Sequence, residues 1–379
     1  MLDVTVVLLS GSYASTALGP IEVFHSAGSL WSVLHGDAPT PRFRVTVASV
    51  DGSHVTSPYA VQLVPQVSIA SVRRADLVIV PSSGLDLDEQ FARHAALLPW
   101  LRKKAAQGAY IAGICTGAAY LAEAGLLDGR EATTHWATAD EFRQRYPKVN
   151  WCPERLVTED RRMLCSGGVY SCLDLSLYLV DKFCGHEVAL QCAKALLINM
   201  PRPCQSGYAV LPVTRPHDDD KVRKAEAYIA RNYSRDISME VLARGVNMSP
   251  RNFLRRFKGA TGRLPGGYLR AVRIAAAREM LEDGARSVQS VGTAVGYGDT
   301  AFFRRLFKRH TGMTPAEYRE NFAGMASVSP EAPSGRAGAA RDARTGPLAA
   351  AARRPRDVRE RPHAAASTRT VRHPHGQLR

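Results

Sequence analysis

Cys115 stands in Gly113-Ile114-Cys115-Thr116-Gly117, between the apolar run AYIAGI and the Ala-rich stretch AAYLAEAG. A strand, a sharp turn and a helix in that order have the form of a nucleophile elbow, with cysteine in the nucleophile's place. The flanking glycines permit the turn, and the helix start behind it favours thiolate and any bound anion. His135, in Ala132-Thr133-Thr134-His135-Trp136, would be the base for such a cysteine, with backbone N–H groups of the turn as oxyanion donors. A second chemistry is carried by arginine. Arg251, Arg255 and Arg256 in one stretch, and Arg304, Arg305, Lys308 and Arg309 in another, read as outward faces of short helices. The two donors of an arginine match guanine O6 and N7 in a DNA major groove.

These arginines lie in an internal repeat. FLRRFKGATGRLPGGY, from Phe253, and FRRLFKRHTGMTPAEY, from Phe303, coincide at a constant offset of 50 residues. Upstream, Met239, Leu242, Val246 and Met248 meet Val288, Val291, Val295 and Tyr297 at an offset of 49. A turn that absorbs one residue makes each copy a helix, a turn and a second helix. Ser249 and Asp299 are the expected N-caps, Gly298 the expected turn of the second copy, and Gly262 and Gly312 the expected stops. Phe253 and Phe257, like Phe303 and Phe307, are four apart and face inward.

The second copy, AVGYGDTAFFRRLFKRHTGMTPAEYR, resembles the AraC family of transcription regulators, and the intervening YLRAVRIAAAREML resembles that family's linker helix. The resemblance covers roughly residues 218–322. It implies an all-α domain whose two recognition helices enter successive major-groove faces of double-stranded DNA. By position the implied DNA contacts are Arg251, Asn252, Leu254 and Arg255, then Thr300, Ala301, Arg304 and Arg305. Gly292 departs from the family's usual Ala, a helix cost of about 1 kcal/mol that predicts a less rigid second unit.

Residues 1–200 alternate strands and helices. VTVVLL, RFRVTVASV, ADLVIVPSS and AYIAGI read as strands; PIEVFHSAGSLW and LPWLRKKAAQG read as helices. Continuous apolar strands separated by helices predict an α/β domain, a flavodoxin-like sandwich on a parallel sheet. GICTGAAYLAEAGLLDGREATTHW resembles the PfpI/ThiJ family of the class I glutamine amidotransferase-like superfamily, over roughly residues 3–195. By position, Cys115 is the elbow cysteine, His135 the family's histidine, and Glu22 the acidic residue that approaches the cysteine. Ser83, Gly84, Thr116, Trp136 and Ser166-Gly167-Gly168 complete the implied pocket. Trp136 either stacks on a ligand or packs.

Charge separates the parts. Residues 1–217 balance 19 basic against 19 acidic side chains, residues 218–323 carry 20 against 12, and residues 324–379 carry 11 against 4. A neutral body on a basic module is the footprint of a DNA binder. Seven cysteines without CxxC pairs argue for a reducing, cytoplasmic (nucleoid-associated) setting, and most read as small buried hydrophobes. No leader, membrane span, cofactor motif or metal-ligand spacing is read. The expected domains are 1–200, a Pro-rich linker at 201–220, 221–323, and a disordered basic tail at 324–379. Asp218, Asp219 and Asp220 suit the start of the next helix.

Three readings of the Cys115 pocket stand at this stage: a catalytic cysteine of an amidase or related hydrolase, a metabolite sensor, or a turn retained for the fold. The attached DNA-binding module favours the sensor. The resemblance then implies a homodimeric regulator, activator more than repressor. It would act with RNA polymerase and respond to a small amino-acid-like or quaternary-amine metabolite.

Overall fold

The computed structural model describes residues 1–199, 202, 204–209 and 217–323. The body begins β1 (Leu2–Leu8), α1 (Ser15–Ser26), α2 (Leu30–Leu34), β2 (Phe43–Ser49), β3 (Val55–Thr56), β4 (Gln62–Leu63), β5 (Val67–Ser68) and β6 (Leu77–Val80). It continues α3 (Leu87–Arg93), α4 (Leu97–Ala106), β7 (Tyr110–Ile114), α5 (Ala118–Glu123), β8 (Glu131–Ala132), α6 (Ala139–Arg145) and β9 (Asn150–Trp151). β10 (Val157–Asp160), β11 (Met163–Ser166), α7 (Ser171–Cys184) and α8 (His186–Ala195) complete it.

Seven strands form one sheet in the order β10-β11-β7-β6-β1-β2-β5. Its neighbours run parallel except at the edge, where β10 pairs antiparallel with β11. The parallel sheet expected from sequence is present, with one antiparallel strand added at its edge. Only Arg161 and Arg162 separate the two strands, and a two-residue connection can join only antiparallel neighbours. Strand residues alternate between two cores. Val4, Val6 and Leu8 join Phe24, Leu175 and Leu179, whereas Val7 and Leu9 join Leu97, Leu101 and Tyr120. Helices therefore cover both faces, which is why the central strands read as unbroken apolar runs. The single helix expected over 20–31 is two helices. Gly28, at φ +75°, breaks it where an added side chain would collide with Thr40 O.

The module is all-helical: α9 (Asp220–Asn232), α10 (Met239–Gly245), α11 (Pro250–Thr261), α12 (Pro265–Glu282), α13 (Val288–Ala294), α14 (Thr300–Thr311) and α15 (Pro315–Phe322). It has two small cores. Val222, Ile229, Leu242, Phe253 and Phe257 gather in one; Val291, Val295, Phe303 and Phe307 gather in the other. α12 serves both, giving Tyr268 and Leu269 to the first and Ile274, Ala277 and Leu281 to the second. Arg273, midway along α12, donates to Tyr233 O, Arg235 O and Gly296 O at 2.7–3.1 Å and covers the Tyr297 ring. One side chain thus ties the two units at a fixed spacing.

Two expectations about the repeat change. The turn of the second copy is made by Gly296, at φ +87°, not by Gly298. Its partner in the first copy is Asn247, at φ +52°, and both replace a strained left-handed position with a residue type that tolerates it. Gly292 is buried, and a Cβ there would stand 3.0 Å from the Phe303 ring. Its helix-propensity cost is offset by a close approach of α13 to α14 that a larger residue would wedge apart.

Residues 202 and 204–209 are packed. Arg202 forms an ion pair with the buried Asp174 at 2.6 Å. Gln205 is 2% exposed and donates to Thr134 O at 2.8 Å, with longer bonds to Thr133 Oγ1 and Arg155 O. On the module side, Arg278 donates to Ser206 O and Ala209 O, and Tyr208 meets the Phe322 ring edge-on at 5.1 Å. Residues 210–216 and the expected tail at 324–379 lie outside the described residues.

Candidate functional site

β7 ends at Ile114, and Cys115 follows with φ +56°. This left-handed backbone is unusual for a residue with a side chain and marks a turn held by its surroundings. The glycines on either side are required by space. A Cβ on Gly113 would sit 2.9 Å from Ala118 Cα, and one on Gly117 would overlap the Pro81 carbonyl. The Thr116 hydroxyl accepts from Ser83 N and donates to Ser83 O, both at 2.8 Å. Ser83 Oγ is turned away, to Gly84 O. Thr116, Ser83 and Gly84 therefore hold the turn, and the Thr116 and Ser83 side chains are spent on backbone. Thr134 Oγ1 donates to Cys115 O at 3.0 Å and fixes the other side.

Cys115 is 6% exposed. Burial pushes its thiol up to about 11, against a smaller opposing effect of hydrogen bonds from Thr116. At neutral pH the group is a thiol, contrary to the thiolate that the helix start alone suggests. His135 is half-buried, and burial lowers its pKa, so the ring is neutral. Its Nδ1 accepts the Ala137 N–H at 3.1 Å. A neutral imidazole with Nδ1 occupied as acceptor carries its proton on Nε2. No lone pair remains to take a proton from the cysteine.

Glu22 does not approach Cys115. It is exposed on α1, whose buried face is formed by Thr16, Ala17, Gly19, Pro20, Val23 and Phe24. One residue before Val23, it is turned about 100° off that face. Among the described residues no carboxylate acts on the Cys115 thiol. The buried Thr16 instead bonds Ser82 Oγ at 3.2 Å.

Tyrosines that the sequence reading passed over stand at the pocket. A hydrogen bond with Tyr59 first, and least of all a Cys115 thiolate, would raise the Tyr13 pKa, and the two tyrosine rings lie 5.8 Å apart. They are 46 residues apart in a loop-rich region, so no spacing could have linked them. Gly168 approaches His135, 3.3 Å from a Cβ on the glycine to the ring. The Trp136 ring lies 5.2 Å from the His135 ring, tilted by 35°. The structure thus brings together His135, Trp136 and Gly168, joined to the Cys115 turn through the Thr134 hydroxyl, while Glu22 stands exposed on α1. Among the described residues no cluster of His, Cys and acidic groups could hold a metal, and no helix is long and apolar enough to cross a membrane.

The second site is the pair of helices α11 and α14. Each has 12 residues and ends on a left-handed glycine, Gly262 or Gly312. Phe253, Phe257, Phe303 and Phe307 are fully buried, so the opposite faces are fixed outward. Arg251, Leu254, Arg255, Ala301, Arg304 and Arg305 are exposed there; Asn252 and Thr300 are half-buried. Arg255 Nη2 donates to Asn252 Oδ1 at 3.0 Å, which pre-orients both. Arg256, expected outward, is half-buried and pairs at 2.8 Å with Asp219. Asp219 also caps α9 through Val222 N, so the acidic run serves the helix start and locks α11 to α9.

Two helix-turn-helix units of this geometry, behind an elbow-bearing α/β body, find their counterparts among known proteins. Residues 4–182 match the DJ-1/PfpI family and residues 242–321 match a helix-turn-helix domain. The HTH-type transcriptional regulator GlxA of Rhizobium meliloti is 30% identical over 227 residues, 58% of this chain and 68% of its own length. The chain belongs to the AraC-type transcription regulators that carry a DJ-1/PfpI domain. It is a DNA-binding transcription regulator. The HTH-type transcriptional regulator CdhR of Pseudomonas aeruginosa is 28% identical over 296 residues, 77% of this chain and 87% of its own length. The body alone is also similar to the isonitrile hydratase of Pseudomonas putida, 32% identical over 157 residues, 40% of this chain and 64% of that enzyme.

Proposed function

We propose that this regulator is a transcription activator whose Cys115 pocket binds a metabolite without transforming it. The observation that carries the reading is His135, whose Nδ1 is occupied by the Ala137 N–H while Cys115 stays protonated. A nucleophile without a base suits a binding site better than a catalytic one. Tyr13, Tyr59 and Trp136 offer π-faces near a pocket whose cysteine feels no carboxylate. Such a lining supports an amino-acid-like or quaternary-amine effector, attracted by ring quadrupoles. The body would supply a homodimer in the cytoplasm. The effector would act through its differential affinity for two states of that dimer, and RNA polymerase would be recruited at the bound promoter. Arg251, Asn252, Leu254 and Arg255, with Thr300, Ala301, Arg304 and Arg305, would contact the DNA.

A thermal-shift screen of the full chain against quaternary amines and amino acids tests the pocket. A ligand at 100 times its Kd adds about 2.7 kcal/mol of apparent stability, and Cys115→Ala should weaken that response. A panel that shifts wild type and variant equally would remove the pocket from the reading.

The second reading is a cysteine-dependent hydrolase, favoured by the left-handed Cys115 on its elbow. It requires an accessible thiolate. Alkylation at Cys115, followed by peptide mass spectrometry, should instead rise about tenfold per pH unit through pH 10, as a thiol near 11 demands. A plateau below pH 8, or amide turnover lost in Cys115→Ser, would establish the hydrolase.

A further inference from the structure

Between body and module lies a cleft of about 620 Å³, within the range that small-molecule sites occupy. The module contributes Arg263, at the end of α11, Arg278 of α12 and His310 of α14. The body contributes Trp136, and the packed segment contributes Ser206.

The charge on the two walls is unequal. On the body wall Arg143 is already paired with Asp140 at 2.8 Å, and Glu154 is exposed. On the module wall neither Arg263 nor Arg278 has a carboxylate within ion-pair distance among the described residues. Arg278 is half-buried; among the described residues it donates to the carbonyls of Ser206 and Ala209, and its Nε is buried without a partner. Beyond these neutral acceptors its charge is met by the Tyr318 ring and, at longer range, by Glu282 one turn on. Loss of solvent first, then the charges of Arg270, Arg263, Arg278 and Arg309, hold His310 below the usual imidazole value. The positive field therefore comes from several helices and converges on this cleft.

We propose that the cleft is a second ligand site, for a compact organic anion. Its carboxylate or phosphate group would meet Arg263 and Arg278, and its body would lie against Trp136. The DNA-reading residues lie in the first turns of α11 and α14, whereas the cleft meets both helices at their C-terminal ends. An anion here would thus bridge body and module without competing for the groove face. It would share the Trp136 ring with the Cys115 pocket but make no use of the cysteine.

The test is a titration of the full chain with succinate and, separately, glycerol 3-phosphate, at ionic strength matched with chloride. Tryptophan fluorescence and the thermal midpoint are read. One probe should give a saturable change in both, and its identity tells carboxylate from phosphate. Arg263→Gln and Arg278→Gln should each weaken it at least tenfold, while Cys115→Ala leaves it unchanged. Arg278 also holds Ser206 and Ala209, so its variant can unfold; Arg263 makes no such bond and keeps the test decisive alone. The site is refuted by the absence of a saturable change with either probe, by equal affinity in Arg263→Gln, or by loss in Cys115→Ala.

Discussion

In the first helix-turn-helix unit Ser249 precedes α11 without a side-chain cap, and Ser238 precedes α10 without one. In the second, Asp299 accepts from Ala301 N and Phe302 N, Ser287 caps α13, and Thr314 and Glu317 close a capping box on α15. The first unit is instead clamped between helices, by the ion pair of Asp219, at the start of α9, with Arg256 of α11. The same pattern, built twice, is thus stabilised by tertiary contact in one copy and by local caps in the other. The second unit, expected from Gly292 to be less rigid, thus carries more local caps than the first. Repetition in sequence preserves the fold of a unit, while the division of labour follows from what surrounds it. The first copy has two arginines in its leading turns, Arg251 and Arg255; the second starts with Thr300 and Ala301.

The largest effect is expected on DNA. Arg251→Ala with Arg255→Ala should cost about 3 kcal/mol, two orders of magnitude in Kd, because each arginine–guanine pair is worth about 1–3 kcal/mol. Arg304→Ala with Arg305→Ala should cost about tenfold. Fluorescence anisotropy on one promoter fragment measures both, and a larger loss in the second copy would invert the proposed asymmetry. Next is Gly312→Ala, where the left-handed backbone and an overlap with Cys204 Sγ act together. About 2 kcal/mol of stability should be lost, against about 1 kcal/mol for Gly262→Ala, which carries the backbone term. Equal losses in thermal melts would mean that Cys204 simply moves aside. Smaller still, Asp299→Ala should cost about 1 kcal/mol and Ser249→Ala only about 0.3 kcal/mol, since only Asp299 makes the cap bonds. A denaturant midpoint that falls equally in both would erase the distinction between local and tertiary support.

Much of this was legible in the sequence, for reasons that mark where legibility stops. Gly113 and Gly117 announce the elbow because no other residue fits beside Ala118 and Pro81. The repeat announces its helices because Phe253, Phe257, Phe303 and Phe307 keep a four-residue spacing. Glu22 was misplaced because a motif assigns a residue to a neighbourhood, whereas the helix rotation assigns it to a face. The tautomer of His135 depends on a bond from Ala137 N that any residue type except proline could donate through its backbone. Gln205 looked like part of a polar linker, and its burial depends on a socket formed by Thr133, Thr134 and Arg155 from distant segments. Such partners are invisible until the chain is folded.

The packed segment also sets a mechanical limit. Gln205 is anchored in the body and Ala209 is held by Arg278 of the module, with four residue steps between them. Fully stretched, those steps reach roughly 14 Å. While both anchors hold, body and module cannot swing apart; the strap has no length to spare. A larger separation must begin with one anchor letting go, so opening would come as a discrete step rather than as a gradual drift.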